Sequence, residues 1–374
     1  MEKIKNENIE RLQEIAKERT VKTQNIEYDL ETLVKKIEKR TIKLNPEYQR
    51  NHRWDIKTSS RLIESLILNI PIPTVYLSQD VDVDEEVEEG ISRYSVIDGQ
   101  QRLSAIFGFM KNEYALEELE VLDLLNGSRY EDLPPFLTRR LEERTITCLR
   151  IDSTADEQVK YDIFERLNTG AIQLEAQELR NAVYRGKFNE LIKALASNKM
   201  FRKLISVKEE DGQDDTKVKK MLDAELVLRF FAIENGEINN MKKSFRDFLS
   251  EQLQKFNNIS DDEMNEKREW FLEMVKLIYD EFGENAFAKY RVDEKDGKDK
   301  LVLQSNFNAS IYDALMVALA ENKRLGKLKI DKGRKEEFMG LFFNDSFRKN
   351  IEGSTTDKSK IIGRIDAVKE IFAK

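Results

Sequence analysis

The sequence predicts an α+β N-terminal domain followed by an all-helical C-terminal domain. All five prolines lie before residue 136, and proline is excluded from helix interiors. The short β-branched runs TVYL, YSVI and TITCLRI lie in the same N-terminal part. From about residue 215 onward, helical periodicity dominates. We therefore place the two domains at residues 1–205 and 206–374.

Length and composition limit the class of protein. The chain has 374 residues, which is long enough for two domains with separate cores. Charged residues make up 36% of it, and no apolar run approaches the roughly 18 residues that a membrane span needs. The first residues, MEKIKNENIERL, have no apolar region of the kind found in secretory signals. We expect a soluble, cytoplasmic protein without a membrane partner.

Net charge and cysteine content narrow the class of protein and the kinds of site that are possible. The formal net charge is -8, which argues against an extended surface for non-specific binding of duplex DNA. Cys148 is the single cysteine, so an intrachain disulfide and a cysteine-rich zinc site are excluded. It lies in the strand-like run TITCLRI, and we expect it to be a small core residue rather than a nucleophile.

Helical patterns alternate with extended segments in the first part of the chain. A charged helix is expected over residues 1–20 and a second helix over 26–40, followed by an extended segment at 42–55. Asp55 is the predicted N-cap of the next helix. The apolar positions expected on the core face of that helix are Leu62, Ile63, Leu66, Ile67 and Ile70.

The runs TVYL and YSVI are predicted to pair as a hairpin, with the acidic stretch 80–90 as its exposed loop. A calcium-binding loop is the alternative for this stretch. Glu85 stands where such a loop needs glycine, and Ile91 stands where it needs a bidentate glutamate, so we prefer a solvated turn. Further along, TITCLRI predicts another strand, and two helices are expected on either side of a turn at Thr169 and Gly170.

The stretch YSVIDGQQRLSA, residues 94–105, predicts a strand that passes through Asp98 and Gly99 directly into a helix. Such a turn presents unpaired backbone N–H groups and attracts anions. Gly99 leaves room for a phosphate, and Arg102 adds a full positive charge. Asp98 can hold Mg²⁺ or orient a water. Gln100 and Gln101 both donate and accept hydrogen bonds, and therefore suit a ligand edge or an attacking water.

A structural interpretation of the same stretch is that Asp98 caps the helix, Gly99 makes the turn and Arg102 is a solvated charge. Two other segments contain similar groups. Arg50 and Arg53 lie in the polar segment YQRNHRWD, where the alternative is a pair of surface charges. The segment FERLNTG contains Arg166 and Asn168, and its alternative is an ordinary helix C-terminus with Gly170 in the left-handed region.

The ordered set PEYQRNHRWD, SRLIESLILNIPIPTVYL, YSVIDGQQRLSAI and FERLNTGAIQLEAQELRNA resembles the N-terminal domain of the GmrSD-type restriction endonucleases over about residues 40–185. The resemblance implies a ParB/sulfiredoxin-like fold whose strand–Gly–helix turn receives nucleotide phosphates. It further implies catalytic roles for Asp98, Gln100, Gln101 and Arg102, with Asp98 as the metal ligand. The implied nucleotide-binding residues are Gly99, Arg102, Arg50, Arg53, Arg166 and Asn168.

The function that the resemblance implies is nucleotide binding, with Mg²⁺-dependent hydrolysis of a nucleoside triphosphate, in an anti-phage restriction system. DNA or modified DNA, and a separate nuclease or other defence protein, are the expected partners. Longer members of the family carry a His-Me finger nuclease domain. His52 is the only histidine and no proline follows Pro135, so we expect no such nuclease here. The alternatives are a non-catalytic interaction module and a DNA nickase that uses the DGQQR motif.

Overall fold

The computed structural model describes residues 22–44, 54–79, 93–152, 157–167, 175–208, 215–295 and 298–373. Three predicted features lie outside these residues: the helix at 1–20, the acidic loop at 80–90 and the turn at Thr169 and Gly170. The chain forms two compact units, Met1–Leu174 and Glu175–Lys374. The first contains the sheet and the second is largely helical, so the predicted combination of an α+β region with a helical region is confirmed.

The first unit consists of short strands and helices in mixed order. Within the described residues its strands and α-helices are β1 (Thr23–Asp29), α1 (Leu30–Glu38), β2 (Ile42–Lys43), α2 (Ile56–Ile67), β3 (Val75–Gln79), β4 (Tyr94–Asp98), α3 (Gln100–Met110), α4 (Pro135–Glu142), β5 (Thr145–Ile151) and α5 (Glu157–Leu167).

The sheet of the first unit is mixed, with the strand order β1-β5-β3-β4-β2. β3 pairs antiparallel with β4, which confirms the predicted hairpin, and it pairs in parallel with β5. α2 packs against α3 and α4, and α1 packs against α3, over a shared apolar core. Cys148 in β5 is fully buried in that core, as predicted. This arrangement brings the end of β4 next to the beginning of β3.

Two capping residues set helix boundaries in this unit. Asp55 accepts the Thr58 N–H at 2.7 Å, which confirms it as the N-cap of α2. Asp29 accepts the Thr32 N–H, also at 2.7 Å, and starts α1. The prediction of a helix over 26–40 was therefore wrong at its beginning. Residues up to Asp29 are extended and pair with β5, because an Asp side chain favours the N-cap over a helix interior.

The predicted core face of α2 was also wrong at one position. Leu62, Ile63, Leu66 and Ile67 are buried, whereas Ile70 is 48% exposed. The helix ends before it because Asn69 takes a left-handed conformation with φ 63°. Asparagine tolerates this conformation better than most residues do. Ile70 consequently leaves the helical register that its spacing suggested.

The second unit is built of helices and one hairpin. Within the described residues its elements are α6 (Ala176–Val183), α7 (Lys187–Ala196), α8 (Lys199–Leu204), α9 (Thr216–Lys219), α10 (Leu222–Glu234), α11 (Phe245–Phe256), α12 (Asp261–Phe282), β6 (Lys289–Lys295), β7 (Lys298–Ser305), α13 (Ala309–Arg324), α14 (Lys332–Gly340), α15 (Asp345–Ile351) and α16 (Lys358–Phe372). The antiparallel pair β6–β7 is an addition to the predicted helices.

The central helix of the second unit is α10, which packs against α7, α11 and α13. The ring of Phe188 in α7 lies 5.4 Å from that of Phe231 in α10, and Phe231 lies 5.8 Å from Phe271 in α12. These contacts place α7 in the same core as the later helices. The predicted boundary between residues 205 and 206 accordingly lies inside this unit.

A buried ionic triad joins three helices of the second unit. Asp313 in α13 is fully buried and accepts from Arg229 Nε of α10 at 3.0 Å. It also accepts from Arg364 Nη2 of α16 at 2.6 Å. Arg364 donates further to the carbonyl oxygen of Thr355 at 2.6 Å. Asp313 thus bonds to both buried guanidinium groups and offsets part of the cost of removing them from water. Arg229 Nη1 also lies 3.7 Å from Glu225 Oε1.

Within the described ranges, no helix combines the length and the apolar character that crossing a membrane requires.

Candidate functional site

The turn between β4 and α3 is formed by Gly99, which has φ +94° and is the N-cap of the helix. A Cβ atom at this position would lie 2.9 Å from Val75 Cγ2 and 3.1 Å from Arg102 Nη2. Glycine is required here both because of the left-handed backbone and because of these close contacts. The strand therefore enters the helix without any intervening loop.

The N-terminal turn of α3 provides the electropositive group of the site. The first N–H groups of a helix have no intrahelical acceptor, and the helix dipole places a partial positive charge there. The first turn carries Gln100, Gln101 and Arg102 and contains no carboxylate. Since Gly99 has no side chain, this end of the helix has the features of an anion-binding turn.

Arg102 and Asp98 form an ion pair at the turn, with Arg102 Nη2 lying 2.5 Å from Asp98 Oδ2. Arg102 Nη1 also donates to the carbonyl oxygen of Pro73, and both terminal nitrogens lie 3.4 Å from that of Thr74. The Arg102 side chain is only 10% exposed, whereas that of Asp98 is 44% exposed. Burial lowers the pKa of the Arg102 guanidinium, and the Asp98 carboxylate opposes this effect.

This geometry excludes the structural interpretation in which Asp98 caps α3 and Arg102 is solvated. The N-cap is Gly99, and no side-chain cap bond is formed there. Asp98 instead pairs with a buried guanidinium four residues later. The bonds of Arg102 to Pro73 and Thr74 were missed by the sequence analysis. Backbone carbonyls carry no residue-type signal, so only the folded structure identifies them as acceptors.

Gln101 connects the turn to the segment that precedes α2. Its Oε1 accepts the backbone N–H of Trp54 at 3.2 Å. Trp54 is partly buried and packs against the core of the first unit. Because Oε1 already accepts this bond, the amide nitrogen of Gln101 is the group better suited to meet a ligand.

The remaining predicted site residues are not part of the turn itself. Arg166 lies exposed in the last turn of α5, a helix that packs against β4. Arg50, Arg53 and Asn168 lie outside the described residues. The structure thus brings together the five consecutive residues of the DGQQR motif and adds Trp54, Pro73 and Thr74 to them.

A metal ion at this turn would depend on Asp98. Among the described residues, no three His, Cys, Asp or Glu side chains come together as a group that could hold a metal. Mg²⁺ at phosphate sites is commonly bound by one or two carboxylates together with phosphate oxygens, and the half-exposed Asp98 carboxylate fits that requirement.

Cys148 does not contribute a nucleophile. Burial raises the pKa of its thiol to about 11, although the nearby Arg102 charge acts in the opposite direction. At neutral pH the group is a protonated thiol, which is a poor nucleophile.

One comparison with known proteins gives a match. Residues 30–185, which include every described element from α1 to α6, match the family described as GmrSD restriction endonuclease, N-terminal domain. No curated protein and no solved structure matches the chain significantly. The DGQQR turn, α2 and β3 all lie inside the matched range. Residues 30–185 of this chain are therefore similar to the N-terminal domain of the GmrSD restriction endonucleases.

Proposed function

We propose that the turn between β4 and α3 binds the phosphates of a nucleoside triphosphate together with Mg²⁺, and that the protein hydrolyses this nucleotide within an anti-phage DNA restriction system. The observation that carries the proposal is the glycine N-cap at Gly99, which opens the N-terminus of α3 beside the exposed carboxylate of Asp98. The family of residues 30–185 supports the connection to restriction.

In this proposal each part of the turn has a chemical task. The N–H groups at the start of α3 bind phosphate oxygens, since they are donors without an intrahelical acceptor. Gly99 lets the phosphate approach the backbone. Mg²⁺, held by Asp98, would supply charge neutralisation at the phosphates. Gln100 and Gln101 contact the nucleotide or the attacking water.

Four further residues are assigned to the nucleotide from the family resemblance. Arg50, Arg53, Arg166 and Asn168 are proposed to contact it from the segments on either side of the turn. Arg166 would stabilise developing charge, as arginine does at other phosphoryl sites. DNA, modified DNA or a separate nuclease are the proposed downstream partners, and the cytoplasm is the proposed compartment.

A second candidate function is a non-catalytic interaction module that keeps the fold without turnover. The bonding of Arg102 favours it, because a guanidinium that is 10% exposed and bonded inside the protein is a structural element in its own right. This module would present its surface to a defence partner without hydrolysing nucleotide.

A paired assay distinguishes these functions. The purified chain is mixed with each of the four common ribonucleoside triphosphates and Mg²⁺, and melting temperature and phosphate release are both measured. The proposal requires a rise in melting temperature, since a ligand that binds only the folded state stabilises it. It also requires phosphate release. A rise in melting temperature without phosphate release supports the interaction module. In a parallel assay with supercoiled plasmid, nicking of the plasmid without nucleotide turnover supports the nickase.

A further inference from the structure

The two charges at the turn are unequally accessible. Asp98 is more than four times as exposed as Arg102, although their side chains are joined by a 2.5 Å contact. Oδ2 of Asp98 accepts from Arg102, and among the described residues no hydrogen bond to Oδ1 is found. A ligand that approaches from solvent therefore meets the carboxylate before it meets the guanidinium.

The guanidinium of Arg102 faces the interior of the unit. Its donors are directed at Asp98, Pro73 and Thr74, and the last two residues lead into β3. A Cβ atom on Gly99 would come within 3.3 Å of Arg102 Cζ. The guanidinium thus occupies the space beneath the turn and ties the end of β4 to the beginning of β3.

We propose that Arg102 is a positioning residue that fixes the Asp98 carboxylate, and that Asp98 meets the phosphates through a divalent cation while Arg102 does not touch them. This inference rests on the proposed nucleotide function. Arginine presents a rigid fork of donors, so it can hold a carboxylate and a carbonyl oxygen at the same time. A lysine could not reproduce that geometry.

The charge balance of the pair leads to a requirement for metal. One positive and one negative charge cancel at 2.5 Å, and the more exposed of the two is negative. A free polyphosphate would therefore experience repulsion from Asp98 that the partial charge of the helix must offset. A divalent cation on Asp98 reverses that interaction, because a bound ion dominates the local charge.

A double-mutant cycle tests whether Arg102 acts through Asp98. The affinity of the full chain for ATP and for GTP is measured by calorimetry with Mg²⁺, for the unmodified protein, Arg102→Ala, Asp98→Ala and the double variant. We expect each single variant to weaken binding by about tenfold or more. We expect the double variant to bind within about twofold of Asp98→Ala, because a residue that acts only through another adds nothing once that residue is absent. Losses that multiply in the double variant would overturn the inference.

The dependence of nucleotide binding on Mg²⁺ is the second measurement. It would stay the same if Arg102 had only a structural role. Unmodified protein should bind nucleotide with Mg²⁺ and lose that binding in a chelator. Asp98→Asn, which retains an oxygen acceptor for Arg102 while losing the charge, should bind nucleotide equally well with and without Mg²⁺. Continued metal dependence in Asp98→Asn contradicts the inference. If Arg102→Ala fails to fold, Arg102→Lys replaces it and should need more Mg²⁺ than the unmodified protein to bind nucleotide. An unchanged Mg²⁺ requirement in Arg102→Lys would overturn the positioning role.

The two proposals fail in distinguishable ways. Metal-independent binding by the unmodified protein overturns the positioning role and leaves the nucleotide function standing. Absence of binding with any nucleotide, with or without Mg²⁺, overturns both. Arg61→Ala is the matched control, since it removes an exposed guanidinium that pairs with Glu120, and it should leave nucleotide affinity unchanged.

Discussion

The backbone N–H of Trp54 donates to Oε1 of Gln101 at 3.2 Å, across 47 residues of sequence. This bond fixes the chain just before Asp55 against the first turn of α3. Asp55 in turn caps α2. A single amide side chain therefore links the DGQQR turn to the helix that packs on α3.

Substitution of Gln101 tests this link. Gln101→Leu leaves the Trp54 N–H without its acceptor, and we expect the free energy of unfolding to fall by about 0.5–1.5 kcal/mol. Gln101→Glu keeps an oxygen acceptor at the same distance along the side chain and should unfold close to the unmodified protein. Urea unfolding of both variants provides the measurement. Equal destabilisation by Gln101→Leu and Gln101→Glu would show that the oxygen acceptor does not contribute to the free energy of unfolding.

Replacement of Gly99 should be costly for two separable reasons. Gly99→Ala forces a side chain into the left-handed region, which costs about 1–2 kcal/mol. It also places a Cβ atom 2.9 Å from Val75 Cγ2, so the strand or the helix must shift. We expect a larger loss of unfolding free energy than the backbone effect alone produces, and loss of nucleotide binding.

Gly127→Ala is the matched control for that prediction. Gly127 has φ +85°, and nothing in the described part of the chain lies within 4 Å of its added Cβ atom. Gly127→Ala should lower the free energy of unfolding only by the cost of the left-handed backbone, and it should leave nucleotide binding intact. Equal destabilisation of Gly99→Ala and Gly127→Ala in urea would show that the close contacts at Gly99 do not affect stability.

Much of the first unit was predictable because its signals are local. Asp55 precedes an apolar helical pattern, which is the ordinary arrangement of an N-cap, and the runs on either side of the acidic stretch are short and rich in β-branched and aromatic residues. Ile70 was misplaced because the sequence pattern does not record that Asn69 ends the helix. Local patterns thus predict elements better than they predict ends.

The sequence singles out Asp98 and Arg102, but it does not indicate how the two side chains are bonded. Asp98 and Arg102 are four positions apart, a spacing that allows pairing at a helix start, whereas the bonds of Arg102 to the carbonyl oxygens of Pro73 and Thr74 have no signal in the sequence. The β6–β7 hairpin had a usable signal, since the Asp-Gly pair in KDGK is typical of a tight turn between two strands. The density of charged residues on both sides of that pair obscured the strand pattern.

The buried triad in the second unit should be sensitive to loss of its single carboxylate. Asp313→Asn removes the counter-charge that the buried Arg229 and Arg364 share, and Arg229 then keeps only the more distant Glu225, at 3.7 Å, among the described residues. We expect the free energy of unfolding to fall by about 3–5 kcal/mol. Asp345→Asn, which removes the acidic member of an exposed pair with Arg348, should change it by no more than about 1 kcal/mol. Similar effects of the two substitutions in denaturant would contradict the importance of burial.

The triad should also make the protein sensitive to acid. Burial alone would raise the pKa of Asp313, but Arg229 and Arg364 outweigh burial and hold the pKa below its ordinary value. A lowered pKa in the folded state stabilises the fold above the unfolded pKa of about 3.9, and this contribution is lost as pH falls through the folded pKa. The difference in unfolding free energy between the unmodified protein and Asp313→Asn should therefore shrink in acid. A difference that stays constant below that pH would contradict the assignment.

Two capping boxes in the second unit should respond to pH with opposite signs. Glu178 accepts the Glu175 N–H at 2.7 Å at the start of α6 and is buried. Glu263 accepts the Ser260 N–H at 3.0 Å at the start of α12 and is exposed. Burial raises the pKa of Glu178 to about 7, whereas the bonds from Ser260 lower the pKa of Glu263. The same hydrogen-bonding role thus occurs in two different electrostatic environments.

Conversion of each carboxylate to an amide tests this contrast. A raised folded pKa means that the Glu178 carboxyl loses stabilising effect as pH rises from about 4.3 toward its folded value. Glu178→Gln should therefore be more stable than the unmodified protein above pH 7, by roughly 3–4 kcal/mol, and similar to it below the unfolded pKa. Glu263→Gln should be less stable at neutral pH, with the deficit disappearing in acid. Urea unfolding of both variants between about pH 2.5 and 8 gives the measurement, because the Glu263 effect is lost only below the unfolded pKa of about 4.3. A destabilised Glu178→Gln at pH 8 would show that its carboxylate is better solvated than its burial indicates.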